Sequence, residues 1–422
     1  MEDKGNTTLW PIKQNNRFGY INRNGKMVIR PQFTEVRAFS ENLAAVMRKG
    51  KWGFINTHGR TVVTLQFEAV EPFRQGLAIV KNAGKWGFVD NKGRITIPPR
   101  FDWAMGLREG MALVAQGGKY GFVGRDGQIA IALHFAEAGE FWEGLARVQI
   151  GSLWGFINQT GKMVIKPLFT YAGNFHEGLA QVEKNDKHGY IDCIGQMIIP
   201  PIFDGHRLEW FSEGLAMIAV GNKYGYIDKS GTIVIPPRYW LAWNFQEGAA
   251  SVQMDDAKWV LINRSGETMG EGRFDNIADF QGGLARVRNF RDYGFIDPKG
   301  KIVVPVAFSA ALPFSEELAA VYLGGSHEQL IIGEPHRHFD PRSPHFLYLK
   351  LPFTGEETPR MSGGKGWGYI DKHGAMVITP GFDFAGSFTG GLAEVRKGDR
   401  HGYIDRSGKF IWETREAAPD AH

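Results

Sequence analysis

The sequence predicts an all-β protein made of twelve antiparallel repeats of about 34 residues, with a closed propeller-like toroid favoured over an open β-superhelix or solenoid. Three observations predict it. A glycine set between aromatic and aliphatic residues returns at 19, 53, 87, 121, 155 and 189, each step being 34 residues, and then at 225, 294, 368 and 402. Self-similarity at a period of about 20 to 50 residues marks solenoids, propellers and arrays. Short apolar runs bounded by glycine turns fill every period, as strands do. The end repeats, Arg17-Phe18-Gly19-Tyr20-Ile21 and His401-Gly402-Tyr403-Ile404, match the inner ones. An open array needs atypical caps over its end faces, so matching ends point to closure.

Residues 142–175 show the elements in order. Gly144-Leu145-Ala146-Arg147-Val148-Gln149 reads as a first strand. Gly151-Ser152 turns the chain into a second, Trp154-Gly155-Phe156-Ile157-Asn158. Gln159-Thr160-Gly161 is a tight turn in which glycine supplies a positive φ. Lys162 to Pro167 reads as a third strand, stopped by a proline that cannot donate to a ladder. Phe169 to Phe175 reads as a connecting loop. Each repeat is therefore expected to be a three-stranded meander plus a loop. Trp154 and Phe156 share one face, Gly155 and Ile157 the other. Met163-Val164-Ile165 is apolar throughout. Sheets with two apolar faces need cover on both, and the neighbouring repeats are the expected cover. Trp52, Gly53, Trp86, Gly87, Trp154 and Gly155 are thus structural residues, the glycines leaving room for an aromatic ring from the next sheet.

The count of twelve places one degenerate repeat in the 74 residues between Gly294 and Gly368, with Gln329-Leu330-Ile331-Ile332 as its second strand. Another repeat, the eighth, has Val260 where glycine belongs. The array is expected to fill 1–412 as one domain, followed by a tail at 413–422. Pro98-Pro99-Arg100-Phe101-Asp102 and Phe211-Ser212-Glu213-Gly214-Leu215-Ala216, beside the Trp-Gly cores, are similar to the bacterial WG β-repeat family. The resemblance covers nearly the whole chain, the eighth and tenth repeats departing from it. It implies a repeat array with a binding role and no catalytic residues to carry over.

Apolar residues make up 43% and charged residues 22% of the 422, enough for a core. Basic and acidic residues number 49 and 45, with no run of one sign, so nucleic acid is not an expected partner. Cys193 is the one cysteine, which excludes an internal disulfide framework. No apolar stretch follows Met1-Glu2-Asp3-Lys4, and no window approaches the roughly 18 apolar residues of a membrane span. A cytoplasmic protein is expected, without cofactor or metal.

Glu143, Glu177, Glu213 and Glu247 each precede a glycine and a strand. They are expected to accept hydrogen bonds from turn amides, a ring of cation sites being the alternative. Departures from the repeat are the better candidates for function. Trp210 lies beside two extra residues, and Tyr239, Trp240 and Trp243 lie in the next loop; exposed together they would form a platform for a sugar or a peptide, packing into the inter-blade core being the alternative. His336, Arg337, His338 and Arg342 lie in the longest irregular stretch, about 322–366, which reads as a partner-binding loop or as plain surface decoration, a metal site being a further alternative. No second cluster at ligand spacing accompanies those histidines. His134 and His176 are lone histidines on repeat loops without a nucleophile beside them. The chain reads as a non-enzymatic scaffold that binds an unidentified protein through its loops. The alternative is a glycan-binding protein, or a glycan-active enzyme using carboxylates such as Asp204 and Glu209.

Overall fold

The computed structural model describes residues 8–203, 209–324 and 366–415. Among them no helix occurs, and eleven antiparallel sheets follow one another along the chain. We number these sheets as blades in chain order: 10–33, 35–67, 69–101, 103–135, 137–169, 171–203, 215–239, 241–274, 276–308, 310–382 and 384–415. The fold class is all-β, of propeller type. The chain divides into two compact units, Met1–Asn22 with Lys26–Met269, and Arg23–Gly25 with Gly270–His422. Blades 2 to 7 lie wholly in the first, blades 9 to 11 in the second.

Twelve repeats become eleven for a local reason. Leu318–Leu323 pairs directly with Gly366–Asp371, Val321 opposite Gly368. The strand before the long stretch and the Trp-Gly strand after it therefore belong to one blade. The candidate strand Gln329–Ile332 lies outside the described residues. At the C-terminus the final strand, Phe410–Arg415, runs three residues past the expected end of the array.

Nine blades have four strands, where three were expected. The segment read as a loop supplies the fourth. In blade 6, Tyr171–His176 pairs with Leu179–Lys184. In blade 5 the same segment contributes only Glu137–Ala138, opposite Gln149 and Val148. Two residues are too few for alternation to announce a strand in the sequence.

The proline does not stop its strand either. Met163–Phe169 continues through Pro167. Trp154 lies opposite Phe169 and Phe156 opposite Ile165, so three residues of one strand face five of the other. The excess is a bulge, and a bulge leaves residues outside the ladder. Pro167 sits there, where its missing N–H costs nothing.

That bulge is also why the glycine recurs. A Cβ on Gly155 would lie 2.4 Å from the Ile165 carbonyl oxygen and 2.8 Å from the Pro167 nitrogen. At Gly53, Gly87, Gly189 and Gly225 the corresponding carbonyl oxygens lie at 2.4 to 2.5 Å. The obstacle is the backbone of the same blade, not a ring from the neighbouring sheet. The ring does its packing one residue on. Phe156 meets Phe175 of blade 6 edge-on, centroids 4.9 Å apart, and Phe54–Phe73 and Phe295–Phe314 repeat the contact at 4.7 Å. Such pairs add about 0.5–1.5 kcal/mol each beyond buried area. Phe156, Ile165 and Phe169 share a core with Ala172, Phe175 and Val182, so one blade does cover the next. The cover ends at the outer strand, whose burial alternates. Ile165 and Phe169 are buried, while Val164, Ile95 and Ile129 are exposed. Val260 is buried, and its blade keeps four strands with a Trp-Gly-type strand cut to Trp259–Ile262.

Candidate functional site

Among the described residues, each of blades 2 to 11 enters its Leu-Ala-type strand through a two-residue turn. Glu143 and Gly144 have φ of 51° and 79°, and Leu145 N–H donates to the Trp142 carbonyl at 3.1 Å. Two positive φ values make a type I′ turn, which favours Asn-Gly over Glu-Gly. The glutamate is retained for its reach. Its two carboxylate oxygens accept from the N–H groups of Glu177 (2.7 Å) and Gly178 (2.8 Å), the same turn in the next blade. Glu109 does this for Glu143 (2.8 Å) and Gly144 (2.9 Å), and Glu213 for Gly248 (3.0 Å). The expected turn amides are thus those of the following blade. Burial pushes the Glu177 carboxyl up, yet Lys229 and the Gly214 amide outweigh it and hold the group below its usual range.

The residue just before that turn carries the variation. Ser40, Ser212 and Ser315 donate their hydroxyls to the carbonyls of Phe73, Phe245 and Phe388 in the following blade, each at 2.7 Å. At the same position blades 4, 5 and 6 have Arg108, Trp142 and His176. The Arg108 guanidinium lies 3.1 Å above the Trp142 ring. Trp142 meets His176 at 4.5 Å between centroids, and His176 stacks on Trp210 at 5.3 Å and 28°. Four side chains from consecutive blades of the first unit form one cation–aromatic column. Trp142 Nε1 is buried in it with no hydrogen-bond partner. Glu140 stands 3.9 Å from Arg108. Burial raises its carboxyl above the usual range even though Arg108 and Arg74 pull it down. Burial lowers the His176 imidazole, and against it Glu143 and Glu177 oppose while Arg108 reinforces.

Trp210 is therefore the open end of the column, 37% exposed. Trp240 is 45% exposed, with the Lys223 ammonium 4.0 Å from its ring centre. Trp243 is half-buried and stacks on Trp259 at 6.0 Å, nearly parallel. Tyr239 is core, 2% exposed, its hydroxyl donating to the Gly266 carbonyl at 3.2 Å. Glu209 is half-buried, and burial raises its carboxyl. His336, Arg337, His338, Arg342 and Asp204 lie outside the described residues. Among the described residues no group of three or more His, Cys, Asp or Glu is placed to hold a metal ion. Arg108 and Trp142 escaped the sequence reading, and His176 looked solitary. Aligning the residue before each two-residue turn, Ser40, Arg74, Arg108, Trp142, His176 and Ser212, would have exposed the substitution.

The sequence profile described as the WG containing repeat matches residues 18–52, 52–86, 86–120, 120–154, 154–187, 189–224, 224–259, 259–289, 293–326 and 367–400. Among solved structures, a eukaryotic initiation factor aligns at 10% identity over 96% of this chain and 100% of its own, with a TM-score of 0.45. The computationally designed Ika8 protein aligns at 10% identity over 64% of this chain and 94% of its own, TM-score 0.33. BamB from Moraxella catarrhalis aligns at 12% identity over 66% and 93%, TM-score 0.28. Comparison with curated proteins gave no match.

Proposed function

The chain belongs to the WG containing repeat family, and from that premise we propose that it is a non-enzymatic scaffold that holds a protein partner along the edge of blades 4 to 7. The observation that carries this reading is the column of Arg108, Trp142, His176 and Trp210. Elsewhere the repeat engages its polar side chains within the framework. The carboxylates saturate turn amides, the serines bond carbonyls, and the hydroxyls of Tyr20, Tyr190 and Tyr369 donate to the next blade at 2.7 to 2.8 Å. Groups held in that way are poor acids, bases or nucleophiles. Where the repeat departs, it offers tryptophan and arginine, the residues that dominate binding energy at protein interfaces. A Trp presents a large rigid face at low entropic cost. The exposed thiol of Cys193 suits a reducing, cytoplasmic setting.

The test is affinity capture from cell extract on immobilised full-length protein, run beside Trp210→Ala and His176→Ala variants checked to melt like wild type. A partner retained by wild type and lost by both variants is the expected result. A capture profile unchanged by either variant overturns the reading. The exposed faces of Trp210 and Trp240 also favour a second reading, a glycan laid on the rings. It predicts that neutral oligosaccharides quench tryptophan fluorescence saturably in wild type but not in Trp210→Ala.

A further inference from the structure

One joint in the second unit lacks its carboxylate. In blade 10 the turn is Glu316-Glu317, with φ of 49° and 70°, closed by Leu318 N–H to the Ser315 carbonyl at 3.1 Å. It has the geometry of the turns at 143–144 and 177–178. By the rule of the other joints, its two amides should be taken by the side chain one blade earlier. That residue is Gly282, φ 64°. Among the described residues no hydrogen bond takes up the N–H of Glu316 or of Glu317.

The surroundings of the missing group are kept. An atom placed as Cβ on Gly282 would meet Phe314 Cβ at 3.6 Å and Lys372 Cε and Nζ at 3.7 and 3.9 Å, all ordinary contacts. In two of the filled joints a cation at the position of Lys372 touches the incoming acceptor. Lys229 Nζ lies 3.1 Å from Glu177 Oε2, and Arg406 is 3.1 Å from Glu316 Oε2. Lys372 instead donates to Glu317 Oε1 at 2.8 Å, within its own blade. Two turn amides and a neighbouring ammonium remain, and a side chain beginning at Gly282 meets only ordinary contacts among the described residues.

We propose that the slot at Gly282 binds a carboxylate supplied from outside the array, with the amides of Glu316 and Glu317 and the ammonium of Lys372 as its donors. The array itself is the precedent, since Glu109, Glu143 and Glu316 make the same two-amide contact elsewhere. An acidic side chain or chain terminus of a polypeptide and a free organic acid share that chemistry. The site lies in the second unit and stands independently of the Trp210 column.

The experiment is titration of full-length, ¹⁵N-labelled protein with sodium acetate against sodium chloride at matched ionic strength. Saturable downfield shifts of the Glu316 and Glu317 amides are expected with acetate alone. Lys372→Ala should bind about tenfold more weakly, the loss of one charge-assisted hydrogen bond. Gly282→Glu, whose new side chain fills the slot, should melt higher than wild type and lose the acetate shifts. Gly282→Ala should keep them. Tighter binding of a blocked acidic peptide than of acetate assigns the source to a polypeptide, and equal binding assigns it to a free acid. Absence of saturation in wild type, or identical shifts in wild type and Gly282→Glu, overturns the proposal.

Discussion

Blades 2, 7 and 10 place Ser40, Ser212 and Ser315 before the turn, whereas blades 4, 5 and 6 place Arg108, Trp142 and His176 there. The backbone is the same and the joint is closed in both cases. The serines close it with a 2.7 Å hydrogen bond that leaves nothing over. The rings close it by stacking, and the stack ends on an exposed tryptophan. Framework and surface can thus be separated position by position. The turn carboxylates and the serines are absorbed by the next blade, whereas the column ends on a ring that is 37% exposed.

The widest test removes the framework beneath both kinds of joint. Gly155→Val sets branched carbon against the Ile165 carbonyl and should cost about 3 kcal/mol or more, read from the midpoint of chemical unfolding. A wild-type midpoint would mean that the bulge is not what demands glycine. Glu143→Ala should cost about 1.5 kcal/mol, since two amides of blade 6 lose a charged acceptor. Ser212→Ala should cost about 1 kcal/mol. Trp210→Ala should cost less than Ser212→Ala, because that ring is partly solvated, while abolishing binding. A larger stability loss than that of Ser212→Ala would make the column framework after all.

The smallest effects are electrostatic and concern the column alone. Burial lowers the His176 imidazole, so the folded state resists its protonation. Stability should therefore fall as pH drops below the unfolded value of about 6.5, and His176→Phe should flatten that part of the profile. Glu140 is raised, so the folded protein disfavours its charge at neutral pH. Glu140→Gln should stabilise by about 1 kcal/mol or less at pH 7, the gain disappearing below about pH 4.3, where the unfolded carboxyl also holds its proton. Stability loss on Glu140→Gln at pH 7 would show that pairing with Arg108 outweighs burial.

Much of the framework was legible because period and turn chemistry are local. The 34-residue spacing and the Glu-Gly turns are written directly in the chain. What was hidden depended on register. Nothing in Ile165-Lys166-Pro167-Leu168-Phe169 says that five residues face three, so the proline looked like a stop and the glycine like room for a ring. The two-residue strand at Glu137–Ala138 is too short to alternate. The pairing of Val321 with Gly368 crosses 46 intervening residues, which a fixed period reads as a missing repeat. Of the site, Trp210 and Trp240 were visible as extra aromatics, but the column links residues 34 apart in separate blades, and only stacking makes neighbours of them.

The most direct test of the central claim is site-specific photo-crosslinking in cells. An aromatic photo-crosslinker is placed at position 210, at the end of the column, or at His58, an exposed residue of a repeat turn. Discrete covalent adducts from position 210 and none from position 58 are predicted. The same adducts from both positions, or none from position 210, would contradict the assignment of the column as the surface this protein works through.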